Sequence, residues 1–318
     1  MTTRQVLVPT DFSDASRSAI QYGHAIAEHF KARLICLTVE DPLLDEVLAM
    51  RAGRDEARAQ ARRELARFVA ASLPASGAGV DMEHEVVTGK PADEILRVAR
   101  ERDCDLIVMS AQGATRMRRF FFGSTTERVL RETAGPVLVT PPEASPLHHA
   151  DLGRAVRRIL APVDLTNASV AQLQAARAIA EALRVPLLLA HAIEPLRSPI
   201  IDRASASSIE LERKTRAEDA MADLVATLPR RLRPEALVVH GDPAEEIAKV
   251  ARDRDAGLIV IGMHASPGRH IGSVTYRVLC LTQALVLALP VLQRAGDEDR
   301  TADHGQRTAE TTDISAAV

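Results

Sequence analysis

The 318-residue chain has very few aromatic side chains: no tryptophan, two tyrosines and six phenylalanines. Proteins that bind single-stranded nucleic acid usually stack the bases on aromatic rings, so this scarcity argues against such a function. The charge balance points the same way, because 40 lysines and arginines against 43 aspartates and glutamates leave a formal net charge of −3. A chain without a general basic field is not expected to attract nucleic acid or an anionic membrane. We therefore expect neither as a partner.

Cysteine is also scarce, and Cys36, Cys104 and Cys280 form no Cys-x-x-Cys pair. An odd number of widely spaced cysteines indicates neither a disulfide framework nor a zinc site, and it is typical of a reducing compartment. The first residues lack the long apolar region of a signal peptide, and no run approaches the roughly 18 apolar residues of a membrane span. We expect a cytoplasmic protein.

The sequence contains an internal duplication. Residues 6–11 (VLVPTD) match residues 159–164 (ILAPVD) at a spacing of 153, and residues 89–95 match residues 241–247 at 152. Later blocks keep their order but fall to a spacing of 149, so the second copy has lost three residues before its last helix. At roughly 100 to 200 residues per domain, the chain length also predicts about two domains.

Within each copy, short apolar runs alternate with longer segments of helical period, which is the pattern of β-α-β units around a parallel sheet. The predicted fold class is α/β, with two tandem doubly wound, Rossmann-like domains, each a five-stranded parallel sheet flanked by helices. The strands predicted in the first copy are 5–8, 33–39, 82–87, 106–109 and 137–140. The helices predicted in it are 14–30, 45–73, 91–102 and one that opens with a capping box at residues 124–127.

The predicted domain boundaries follow the duplication. Domain 1 covers residues 1–142, a proline-bounded linker covers 143–156, and domain 2 covers 157–292. Residues 293–318 hold six acids, three arginines and almost no large apolar side chain, so we expect a disordered tail. A pseudo-twofold axis is expected to pair the last strands, 137–140 and 285–289, antiparallel to each other, because this removes two exposed sheet edges.

Ligands of an open parallel sheet bind at the carboxyl ends of the strands, and phosphates favour helix N-termini. These rules select the turn after the first strand, the end of the second strand at Val39, and the loop 110–125. The backbone N–H groups of Gly123, Ser124 and Thr125 are candidate phosphate donors at the start of a helix. The alternative is a glycine-bearing connector whose serine only caps the helix, and this segment alone leaves both interpretations open.

The segments together are more specific than any one of them. Residues 8–13 (VPTDFS), 38–42 (TVEDP) and 89–95 (GKPADEI), with a small-x2-Gly-x9-Gly-Ser pattern over 110–124, closely resemble the universal stress protein family. The resemblance covers residues 4–142 and 157–292. It implies a five-stranded parallel sheet in each copy and, as in one subgroup, ATP bound through a Gly-x2-Gly-x9-Gly-Ser/Thr loop.

The resemblance assigns roles to residues of the first copy. Asp11 would contact the ribose, Val39 and neighbouring backbone the adenine, and Gly113, Gly123, Ser124 and Thr125 the phosphates. Ser110 replaces the first glycine of the loop, which need not close the site if the backbone there has a negative φ. The full set of predicted nucleotide-binding residues is Pro9, Thr10, Asp11, Val39, Met109, Ser110, Gly113, Gly123, Ser124 and Thr125.

The second copy departs further from the family pattern. Asp164, Gly262, Gly272 and Ser273 are retained, but Ala265 replaces the second glycine and only six residues separate it from Gly272. A shorter loop has less contour to wrap phosphates, at about 3.3 to 3.6 Å per residue. We therefore expect one nucleotide per chain, bound by the first copy. The alternative is that Arg269 and His270 bind phosphate in the second copy through side-chain contacts.

The leading functional hypothesis is a stress-response or regulatory protein that binds ATP or a related adenine nucleotide, with or without Mg²⁺, through its first domain. The second domain would be degenerate and structural. The alternative is a nucleotide-independent interaction protein that acts as an intramolecular pseudo-dimer, and further homodimerisation stays open.

The chain has no Gly-x-Gly-x-x-Gly turn after its first strand, no P-loop and no nucleophile elbow. We expect no enzyme, although a bound ATP could be hydrolysed slowly.

Overall fold

The structure, a computed structural model, describes residues 3–73, 79–111, 123–141, 152–166, 169–196, 203–263 and 273–290. The first repeat contains β1 (Gln5–Pro9), α1 (Asp14–Phe30), β2 (Arg33–Glu40), α2 (Pro42–Ala52), α3 (Arg54–Ser72), β3 (Met82–Thr88), α4 (Pro91–Glu101), β4 (Leu106–Ser110), α5 (Ser124–Glu132) and β5 (Val137–Thr140). A short helix, α6 (Leu152–Val156), precedes the second repeat.

The second repeat has the same succession of elements. It contains β6 (Ile159–Pro162), α7 (Ser169–Leu183), β7 (Leu187–Ile193), α8 (Arg203–Ala226), a 3-10 turn (Arg230–Leu232), β8 (Glu235–His240), α9 (Pro243–Asp253), β9 (Leu258–Met263), α10 (Ser273–Leu281) and β10 (Leu285–Pro290). Among the described residues, no helix is both long and apolar enough to cross a membrane.

All ten strands belong to one sheet, in the order β3-β2-β1-β4-β5-β10-β9-β6-β7-β8. Neighbouring strands are parallel within each repeat, and the two halves join where β5 and β10 pair antiparallel through Val139–Val286, Leu138–Leu287 and Val137–Ala288. This confirms the predicted fold class and the antiparallel pairing of the last strands. The arrangement protects two apolar strands that would otherwise be sheet edges.

Helices cover both faces of this sheet. One buried cluster joins α1, α3, α6, α7 and α8 to one face, and a second cluster joins α4, α5, α9 and α10 to the other. Each cluster contains residues of both repeats, so the core continues across the β5–β10 junction. Strands buried on both faces need nearly continuous apolar runs, which explains why the sequence revealed them.

Two helix predictions are wrong in detail. The segment 45–73 is not one helix, because Gly53, at φ +84°, interrupts it between α2 and α3 in a conformation that favours glycine. Helix α2 begins earlier, at Pro42, a residue type suited to the first helical turn. At α5 the N-cap residue is Gly123, without a side-chain cap, and Ser124 is already helical, so the capping box is absent. 

The predicted linker, 143–156, contains a helix that is part of the core. Leu152 and Val156 of α6 are 4% and 2% exposed, and the N–H of Gly257 donates to the Val156 carbonyl at 3.0 Å. The end of this segment is therefore packed against the second repeat. Residues 142–151 and the predicted disordered tail lie outside the described residues.

Candidate functional site

The site begins where the two central strands of the first repeat separate. Strands β1 and β4 pair only through Val6–Leu106 and Leu7–Ile107. Strand β1 continues to Pro9 and β4 to Ser110 without further pairing between them. This is the point where the strand order reverses, and the carboxyl ends of the strands open a crevice there.

A cavity of about 330 Å³ occupies this crevice. Its described lining contains nine of the ten predicted site residues, and Gly113 lies outside the described residues. The lining consists of Pro9, Thr10, Asp11, Ser16, Leu37, Val39, Pro91, Ile95, Met109, Ser110, Gly123, Ser124, Thr125 and Thr126. Sequence reasoning missed Ser16, Leu37, Pro91, Ile95 and Thr126, although Pro91 and Ile95 belong to the GKPADEI segment that carries part of the family resemblance.

The turn after β1 holds Asp11 at the rim of the cavity. The N–H of Thr10 donates to the Leu37 carbonyl at 2.8 Å, and its hydroxyl lies 2.9 Å from that of Ser16 in α1. Phe12 has a φ of 61°, which is uncommon for a bulky residue, and its ring packs edge-on against Phe68 at 5.2 Å. These contacts fix a tight turn and leave the Asp11 carboxylate exposed beside the cavity.

The N-terminus of α5 forms the opposite wall. The Gly123 N–H donates to the Ala111 carbonyl at 2.9 Å, so this predicted phosphate donor is engaged within the chain in this structure. The amides of Ser124 and Thr125 belong to the first helical turn, where intrahelical acceptors are lacking and the helix dipole is positive. The Thr126 hydroxyl donates to the Ser110 carbonyl at 2.9 Å and ties this helix end to β4. This wall is suited to an anion.

The substitution at Ser110 is compatible with an open cavity. Ser110 belongs to strand β4, whose extended backbone any residue adopts, so a glycine is not required there for its conformation. Its side chain is 8% exposed and lines the cavity.

Charge is distributed unevenly around the cavity. Asp11 is the only ionisable side chain among the described lining residues. Burial, followed by the nearby Asp45 and Glu64 carboxylates, raises the pKa of Glu40, which follows Val39, and Arg58 opposes this shift. Carboxylates therefore gather around the end of β2, whereas the amides at the start of α5 are the groups suited to an anion. The described residues contain no cluster of three or more metal-binding side chains.

The corresponding turn of the second repeat is organised differently. Val163 takes the place of Thr10, and the Ser169 hydroxyl donates instead to Asp164 Oδ1 at 2.5 Å. The same oxygen accepts the N–H and hydroxyl of Thr166 at 2.9 and 2.7 Å. Asp164 is thus held by its own loop, and the N–H bond has a counterpart in the first repeat, where the Ser13 N–H donates to Asp11 Oδ1 at 3.1 Å. The shortened loop and Gly272 lie outside the described residues, and Ser273 is the first residue of α10.

A duplicated, doubly wound parallel sheet with a crevice at the strand-order reversal places the chain among tandem Rossmann-like proteins. The chain belongs to the universal stress protein family, whose family model matches residues 2–141 and 155–290. The family resemblance found in the sequence is thereby confirmed in both repeats.

Three similar proteins illustrate the range of relatives. Universal stress protein MJ0531 of Methanocaldococcus jannaschii is 32% identical over 149 residues, which cover 43% of this chain and 81% of that protein. The Na(+)/H(+) antiporter NhaS5 of Synechocystis is 27% identical over 293 residues, which cover 90% of this chain and 38% of the antiporter. A functionally unknown protein of Pseudomonas aeruginosa, PA1789, has a similar solved structure, with a TM-score of 0.64, 18% identity and coverage of 91% of this chain and 93% of that one. At this identity the last comparison concerns the fold alone.

Proposed function

We propose that the first repeat binds ATP or a related adenine nucleotide and that the chain acts as a cytoplasmic stress-response or regulatory protein. The observation that carries this proposal is the cavity between β1 and β4, whose lining includes nine of the ten residues that the family pattern selects. The second repeat serves mainly as the structural partner that completes the ten-stranded sheet.

The cavity suits the parts of an adenine nucleotide. Its volume of about 330 Å³ lies within the range of about 300–1,000 Å³ typical of small-molecule sites. Leu37, Val39, Ile95 and Met109 supply apolar walls for a base. Asp11 is placed to accept hydrogen bonds from ribose hydroxyls, and the first turn of α5 to donate to phosphate oxygens.

A bound Mg²⁺ would depend mainly on the nucleotide for its ligands. Mg²⁺ usually keeps several waters and combines one or two carboxylates with substrate phosphates. Asp11 is the single carboxylate in the described lining, so the protein offers at most one such ligand there. The cation would neutralise phosphate charge near Asp11.

We propose no dedicated catalytic activity for this site. A general base must lie within hydrogen-bond reach of the proton that it abstracts, and its pKa must suit that task. Asp11 is exposed at the rim, and no other ionisable group belongs to the described lining. Hydrolysis of bound ATP would accordingly be slow.

A nucleotide-independent interaction protein is the second candidate. The match to NhaS5 favours it, because a segment similar to nearly all of this chain makes up 38% of a longer protein named as an antiporter. A tandem module that accompanies a transporter could regulate it by contact alone. Both candidates share the pseudo-dimeric sheet and differ in whether a nucleotide occupies the cavity.

Matched substitutions in the two repeats separate these candidates. Asp11→Ala removes a charged hydrogen-bond acceptor worth about 1.5–3 kcal/mol, so the affinity for ATP should fall about 10- to 100-fold. Asp164→Ala, its counterpart, should leave the affinity unchanged, and Gly123→Leu should block phosphate approach. Calorimetry with ATP, ADP and AMP measures these affinities and ranks the three nucleotides.

The result also has a clear negative form. Equal affinity of the Asp11 and Gly123 variants and of the unchanged protein would refute the site assignment. Absence of binding by all three nucleotides, together with no nucleotide released from the denatured purified protein in mass spectrometry, would favour the interaction protein.

A further inference from the structure

The two repeats differ at the helix position that faces the gap between their central strands. Gln172 in α7 is 5% exposed and corresponds to Ala19 in α1 at the repeat spacing of 153. The Gln172 amide donates to the Pro162 carbonyl at the end of β6 and to the Val260 carbonyl of β9, the latter at 3.0 Å. Its Oε1 accepts the N–H of Gly262 at 3.0 Å. One buried carboxamide therefore bridges two strands.

The bridge lies where these strands have stopped pairing with each other. Strands β6 and β9 pair only through Ile159–Leu258 and Leu160–Ile259, although they continue to Pro162 and Met263. Buried backbone groups that face such a gap need hydrogen-bond partners. In the second repeat, the side chain of Gln172 supplies such partners to Pro162, Val260 and Gly262.

The first repeat has the same strand geometry without the bridge. Strands β1 and β4 also pair at only two positions, and the methyl group of Ala19 cannot form hydrogen bonds. There the cavity extends between Pro9 and Ser110 and reaches Ser16, one turn before Ala19 in α1. The residues that Gln172 connects in the second repeat, Pro162 and Gly262, correspond to Pro9 and Ser110.

We propose that Gln172 is an internal plug that closes the strand-end crevice of the second repeat and confines adenine nucleotide to the first. This inference rests on the proposed nucleotide function. The side chain of Gln172 lies between β6 and β9 and is therefore separate from the shortened loop before α10. Removing it should open room for a nucleoside, whereas the short loop chiefly limits contacts with a phosphate chain.

The test uses Gln172→Ala, which installs the residue that the first repeat already carries at this position. Gln174→Ala is the matched control, because Gln174 is exposed on the same helix. The probe is AMP, which lacks the outer phosphates that a longer loop would wrap. Native mass spectrometry at saturating AMP should count one nucleotide per chain for the unchanged protein and the control, and two for Gln172→Ala. One of the two should persist in the double variant Asp11→Ala/Gln172→Ala.

Each stoichiometry has one interpretation. One AMP bound to both the unchanged protein and Gln172→Ala would overturn the plug and leave the proposed function intact. Two bound to the unchanged protein would also overturn the plug, because the second crevice would be open already. None bound to the unchanged protein but one to Gln172→Ala would support the plug and show that the first repeat does not bind AMP. None bound to either would overturn the plug and leave the proposed function to the calorimetry with ATP and ADP.

Discussion

Replacing Gly23 of α1 by alanine should create a specific clash that a second substitution relieves. A Cβ atom at Gly23 would come much closer to Cγ2 of Val8 than the 3.0 Å that real Cβ contacts respect. Val8 is fully buried in β1, and its β-branched side chain is stiff. The second repeat carries Ala161 and Ala176 at the corresponding positions, both fully buried. Relative to the first repeat, it therefore has two fewer side-chain carbons on the strand and one more on the helix.

The structure sets the size of each effect. Gly23→Ala combines a helix-propensity gain of about 1 kcal/mol with an overpacking cost of about 1–3 kcal/mol, for a net loss of about 0–2. Val8→Ala removes two buried carbons, which costs roughly 2–3 kcal/mol once the cavity is included. In the double variant the new methyl group occupies that cavity, so only one buried carbon is lost overall, at a cost of about 0.8 kcal/mol. This cost nearly cancels the helix-propensity gain, so the double variant should be about as stable as the unchanged protein. The two substitutions should thus couple favourably by about 2–5 kcal/mol.

Urea unfolding of the unchanged protein, both single variants and the double variant measures this coupling. Far-ultraviolet circular dichroism is the suitable signal, because the chain has no tryptophan. Effects that add within about 0.5 kcal/mol would mean that Gly23 and Val8 are not in the predicted contact. The reasoning would then fail, along with the use of the second repeat as a guide to packing in the first.

Two further substitutions test the position of helix α6 and the raised pKa of Glu40. Gly257→Ala would place a methyl group against two carbonyl oxygens of α6, so the melting temperature of this variant should drop sharply. Gly135→Ala is the control, because its methyl group meets only ordinary contacts and the variant should melt normally. Equal melting temperatures of the two variants would contradict the position of α6. Glu40→Gln should raise stability at pH 7. Burial and neighbouring carboxylates raise the folded-state pKa of Glu40. The stability contributed by its neutral form is therefore present below the usual pKa of 4.5 and is lost as pH rises through the raised pKa. The advantage of the variant should vanish in melts below about pH 4.5, and an advantage that does not depend on pH would contradict this account.

The fold was predictable because its strongest signals are local and occur twice. Strand β5 begins and ends where it was predicted, and β1 and β2 each extend one residue further, since buried parallel strands read as apolar runs. The break at Gly53 was not predicted, because an isolated glycine inside a helical pattern is often tolerated.

The candidate site was predictable where residues directly follow a strand. Thr10, Asp11 and Ser110 could be placed from the rule that ligands bind at strand ends. Ser16 and Leu37 could not, because they reach the cavity from inside a helix and a strand. Gln172 carries no local signal at all: a glutamine in an alanine-rich helix is usually exposed. Its role emerges only when its partners are compared with those of Ala19 in the other repeat.

Duplication explains how one strand-end geometry can serve two purposes. Both repeats separate their central strands after two pairs, which leaves backbone groups facing a crevice. In the second repeat, Gln172 satisfies such groups from within the chain, so that half needs no ligand to complete its hydrogen bonds. In the first repeat, Ala19 offers no such hydrogen bonds, and a ligand that binds only the folded state adds stability there by mass action. Because the two halves share one sheet and both buried clusters, occupancy of the first crevice would stabilise the joined structure as a whole.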